Sequence, residues 1–171
     1  SIKKVVAEFA KDTYTDALTV ELGVENDHLK SLQHEYDKND KAIAKLQKSN
    51  IKSTTGIDNA KLEIEINRKE YEMALTEYQN QKSQFAQVDK NDENYKGSKS
   101  KYKGAEKAKK DLEKEYLDKN QGIYDEEAHI QTNNVLVDDL QKLQESLDIK
   151  IVNQKIVVKE LEDRIYELER E

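Results

Sequence analysis

The chain has 171 residues, of which 38% are charged and 35% hydrophobic, with a net charge of -7 and a mean hydropathy of -1.03. That is too little apolar surface to offset the conformational entropy of a compact globule of this length. With no proline and only five glycines, the composition argues against disorder and for long helices that bury a narrow seam.

Cysteine is absent, which excludes disulfides, thiolate metal sites and a cysteine nucleophile. No run approaches the ~20 apolar residues of a membrane span, and no signal-peptide pattern opens the chain. The first residue is Ser1 rather than methionine, so the reading includes a segment of a larger protein.

Residues 1–25 read as a short amphipathic N-terminal segment. Ile2, Val5, Val6, Phe9 and Ala10 fall at helical spacing, a pattern expected to dock on its own protein. Gly23 can end this segment, and Asn26 or Asp27 can cap the next. A first coiled-coil arm is expected over 26–88. Leu29, Leu32, Tyr36, Ile43 and Leu46 mark its opening part. A break near 50–57 follows, where "NIKSTTG" resembles a turn and Thr55 with Asp58 has the spacing of a helix cap. Past it, Ile57, Ile64, Tyr71, Tyr78 and Phe85 repeat by seven, with Ala60, Ala74 and Val88 between them. Asn67 and Gln81 fall on the same seam. The tyrosine stripe reads as seam packing rather than a ligand site.

Residues 89–104 read as a polar, lysine-rich hinge or tip. Asn91, Asn94, Gly97, Ser98, Ser100 and Gly104 cluster there, and the seven-residue phase is expected to break past Tyr102. The second arm is expected over 105–171. Its seam is the clearest signal in the sequence: Ile123, Ile130, Val137, Ile151, Val158 and Ile165, with Leu140, Leu147, Leu161 and Leu168 at the complementary position. β-Branched residues alternating with leucine suit a two-stranded coiled coil, and Gln144 and Gln154 are polar interruptions that fix register. Folding back at 90–104 would set Leu46, Ile43, Tyr36 and Leu29 against Leu147, Ile151, Val158 and Ile165. The expected fold is all-α: an elongated antiparallel coiled-coil hairpin or bundle with an interrupted first arm. A single bent helix through the glycines is the alternative.

Catalytic and cofactor motifs are missing. There is no glycine-rich phosphate loop, and His28, His34 and His129 form no metal-binding pair on one helical face. Asp89, Asn91 and Glu93 alternate like a calcium loop but lack its glycine at the sixth position and its glutamate at the twelfth. The reading assigns no enzyme activity, no cofactor, no metal and no small-molecule substrate.

Charge is patterned: from Lys96 to Lys110 there are seven lysines against one acid, Glu106. Lys96, Lys99, Lys101 and Lys103, with Tyr95 and Tyr102, form a candidate anionic-contact tip. Nucleic acid is disfavoured by the acidic balance and scarce arginine; membrane contact draws weak support. The functional expectation is a non-enzymatic coiled-coil spacer or scaffold, self-associating as a homo-oligomer through its seams or binding a protein partner. The alternative is an adaptor whose lysine tip contacts an anionic surface, membrane or nucleic acid.

Overall fold

The structure is a computed structural model and describes all 171 residues. Two helices account for nearly all of them: α1, Ile2–Ala86, and α2, Tyr95–Arg170. They pack against each other as an all-α helical hairpin without strands. The bent single helix is thereby excluded.

The expected interruptions of the first arm do not occur. α1 runs unbroken through Gly23 and through 50–57. Thr54 and Thr55 do not cap a new helix; their hydroxyls donate back to the carbonyls of Asn50 and Ile51, four residues earlier, at 2.9 and 3.1 Å. The continuity has a cause in the pattern. One seven-residue phase links Leu22, Leu29, Tyr36, Ile43, Asn50, Ile57 and Ile64, and each of these is buried or half-buried. A side chain of this phase therefore meets α2 at every second turn, and packing of this kind outweighs the ~1 kcal/mol propensity cost of a single glycine.

The turn is shorter and earlier than expected. It comprises Gln87–Asn94, and the glycines and lysines from Lys96 onward lie inside α2. The Asp92 amide donates to the Asp89 carbonyl at 3.0 Å, the Tyr95 amide to the Asp92 carbonyl at 3.1 Å, and the Asn94 amide to Asp92 Oδ1 at 2.8 Å. No residue there has positive φ. The Asp92 carboxylate and the backbone bonds hold this reversal without a glycine.

The phase does not break past Tyr102 either. The seam continues through half-buried Ala105, Lys109, Leu112 and Lys119 to Ile123, while Tyr116, in the same phase as Lys109, is exposed. Lys109 stands at a seam position in place of an apolar residue. Its stem is covered, leaving the side chain 18% exposed, and its ammonium lies 4.6 Å from the centre of the Tyr78 ring.

Register follows from the turn. Phe85 packs tilted against Tyr95, Asn67 reaches the Leu112 carbonyl, and Asn133 reaches Asn50. That alignment places Tyr36 level with Leu147 and Leu46 level with Val137. The expected pairing of Leu46 with Leu147 is about three turns out of place. It was centred on a tip at 90–104, and moving the turn toward the N-terminus carries every pairing with it.

Backbone contacts divide the hairpin into two units, residues 1–47 with 134–171, and residues 48–133. In the first, the buried residues are mostly aliphatic: Leu18, Leu32, Ile43, Val137, Val158, Leu168 and Leu147, which is only 1% exposed. In the second, Ile57 is buried among polar seam residues, Ser53, Asn67 and Asn133. Aromatic side chains fill the part of this unit nearest the turn.

Candidate functional site

The seam residues of the second arm occupy the helix-helix contact. Val137, Leu147, Val158 and Leu168 are buried, and Ile123, Ile130, Leu140, Ile151, Leu161 and Ile165 are half-buried. Their partners lie on α1 of the same chain. This apolar stripe is therefore consumed within the hairpin rather than presented to another molecule.

Polar residues punctuate the contact in both units. In the first, Gln154 Nε2 donates to the Glu25 carbonyl at 2.9 Å and to the Glu25 carboxylate. Gln144 is 7% exposed with no partner for its Oε1, and the Nδ2 of Asn39, on the same level of α1, is also unpartnered. In the second unit, Asn133 Nδ2 donates to Asn50 Oδ1 at 2.9 Å, and His129 Nε2 lies 3.4 Å from both Asn133 Nδ2 and Ser49 Oγ. Such pairs specify alignment, because any slip strands a buried amide.

Beside the turn, the candidate tip separates into two groups. Tyr95 and Tyr102 are half-buried in the seam. Tyr102 stacks on Phe85 and Tyr78 at 5.5 and 5.8 Å between ring centres, and Tyr95 tilts against Phe85 at 5.3 Å. Hydrogen bonding to Tyr78, then burial and nearby negative charge, push the Tyr102 hydroxyl up to about 12. These rings are occupied, so they offer no free face to an anion or a base. Lys96, Lys99, Lys101 and Lys103 are exposed on the first turns of α2.

The acids near this region meet lysines directly. Glu106 lies 3.4 Å from Lys110 and 4.0 Å from Lys103. Burial pulls its carboxyl upward, but Lys110 and Lys103, with the Tyr102 hydroxyl, outweigh that and hold it below the usual carboxylate range. Lys107 pairs with Asp111 at 2.8 Å; the hydrogen bond and the opposite charge raise its own titration. These pairs lie within one helix at its surface, where solvent screens them and they add little to stability.

The sequence did not signal a groove in the second unit, which opens between Ser53, Gly56 and Ala60 of α1 and Gly122 and Ile123 of α2, with a volume of about 530 Å³. A Cβ added at Gly56 or Gly122 would meet nothing within 4 Å, so these glycines widen the groove rather than permit close approach. Their small size was the available signal. No group of three or more His, Asp or Glu side chains is arranged to hold a metal ion, and no helix is long and apolar enough to cross a membrane.

No family model matches the chain, and neither a curated protein nor a solved structure matches it.

Proposed function

We propose that this protein is a non-enzymatic coiled-coil spacer or scaffold that joins a second copy or another protein through the outer surface of its hairpin. The supporting observation is a second apolar row on α2. Ile149, Val152 and Ile156 are 64%, 57% and 51% exposed, and their i, i+3, i+7 spacing puts them on one face of the helix. They lie outside the seam, whose own apolar residues are already paired with α1. Exposed side chains so aligned suit a partner helix laid alongside.

Light scattering coupled to size-exclusion chromatography tests the self-associating form. Wild type should gain mass with concentration, and a variant carrying Ile149→Ser, Val152→Ser and Ile156→Ser should remain monomeric with unchanged helicity. A wild type that stays monomeric throughout would remove self-association from the proposal.

A further inference from the structure

We propose that the outward face of α2 between Lys96 and Gln131 docks on an anionic lipid membrane. Every seventh residue from Lys96 to Gln131, and every seventh from Ser100 to Ala128, is exposed, and none is acidic. These two rows adjoin on the side of α2 turned away from the seam. They carry Lys96, Lys103, Lys107, Lys110 and Lys114, with Lys99 at their border. The six ammonium groups fall in a sector of about 80° and span about 27 Å of helix.

Half of these lysines are paired: Glu106 answers Lys103 and Lys110, and Asp111 answers Lys107. Lys96, Lys99 and Lys114 have no ion pair among the salt bridges of the chain, although Asp111, Glu115 and Asp118 line the same surface hollow as Lys114. The stretch of α1 alongside Lys96–Lys114, residues 67–85, contributes three acids, Glu70, Glu72 and Glu77, and three bases, Arg68, Lys69 and Lys82. A surface with four to eight clustered lysines attracts anionic headgroups, at about 1 kcal/mol per lysine close to the membrane.

What selects lipid over nucleic acid is the continuation of the same face. Leu117 and Tyr124 follow Lys114 on it and are 65% and 68% exposed. Leucine and tyrosine beside a basic row match the boundary between headgroups and acyl chains. Nucleic acid would favour arginine and free aromatic faces. This stretch of α2 has no arginine, Tyr95 and Tyr102 beside the lysines are packed in the seam, and the exposed Tyr124 lies ten residues beyond Lys114. Contact is peripheral, since no helix can cross a bilayer. This inference is independent of the spacer reading.

Co-sedimentation of the full chain with vesicles tests it, using phosphatidylcholine alone and phosphatidylcholine with about one-third phosphatidylserine. Binding is expected only to the anionic vesicles and should fall as salt shortens the screening length. The combined variant Lys103→Glu, Lys107→Glu, Lys110→Glu should lower the partition coefficient at least about a hundredfold, with helicity retained by circular dichroism. Leu117→Ser with Tyr124→Ser should weaken binding and leave its salt dependence. Reversing Lys142, Lys150 and Lys155 should change it far less. The proposal is overturned by no vesicle binding, by equal binding to neutral vesicles, or by indifference to the lysine variant. Salt-dependent binding to duplex DNA without vesicle binding would reassign the stripe to nucleic acid.

Discussion

Asn133 reaches across the helix contact and donates its side-chain amide to Asn50 Oδ1 at 2.9 Å. Asn133 is 4% exposed, so this bond forms in a setting where an unmet amide is costly. Removing one partner alone by Asn133→Ala should therefore destabilise the hairpin by about 1–3 kcal/mol. Replacing both, Asn50→Leu with Asn133→Leu, should recover or exceed wild-type stability while loosening alignment. A double-mutant cycle from urea denaturation measures the coupling, and purely additive effects would show that the bond does not stabilise the fold.

Alignment is also open to chemical cross-linking, since the native chain has no cysteine. Cysteines at Leu46 and Val137 should join within one chain through a short bifunctional maleimide. Cysteines at Leu46 and Leu147 should not, because ten residues displace the second site by ~15 Å. Efficient joining of the second pair alone would refute the register described above.

Leu147→Ala should cost about 2–5 kcal/mol, because the side chain is almost wholly enclosed. Val135→Ala is the control: mostly exposed and outside both the seam and the proposed association row, it should change stability by less than ~0.5 kcal/mol. Thermal melts of the two variants give the comparison, and equal losses would contradict the burial pattern.

Tyr102 makes the hairpin sensitive to strong alkali. Its hydroxyl titrates near 10 when unfolded and is raised to about 12 in the fold. Between these values the folded state holds the proton more tightly, so this group's contribution is complete below about pH 10 and is lost as pH approaches 12. Tyr102→Phe should remove a phenolate that appears near pH 12 in an ultraviolet titration and flatten that part of the stability profile. An unchanged titration would refute the assignment. The lysines also titrate in this range, so the difference between wild type and variant is the informative quantity.

The C-terminal seam was legible because β-branched residues and leucine fill most of its slots from Ile123 to Leu168, with Glu126, Asn133, Gln144 and Gln154 in the rest. The same repeat in α1 was hidden by its contents: Glu25, Asn39, Asn50, Ser53 and Asn67 occupy seam positions, and each looks like a gap when apolar residues alone are followed. Lys109 concealed the continuation in α2 for the same reason. Turn chemistry supplied the other displacement. Gly97 and Gly104 suggested a reversal, but propensity is a weak signal beside packing, and the chain had already turned at Asp89–Asn94. The lysines were plain in the sequence; their segregation from Tyr95 and Tyr102 was not, because it depends on which face of α2 meets α1.

The turn at Gln87–Asn94 has a practical consequence. It contains no glycine, no positive φ and no buried side chain from Asp89 to Asn94, while alignment is held by layers such as Asn50–Asn133 well away from it. Lengthening such a connection is cheap, about 0.6 kcal/mol for each doubling. A guest peptide or an entire folded module spliced between Lys90 and Asn91 should leave the pairing of the arms undisturbed. The hairpin is thus a ready-made display mount.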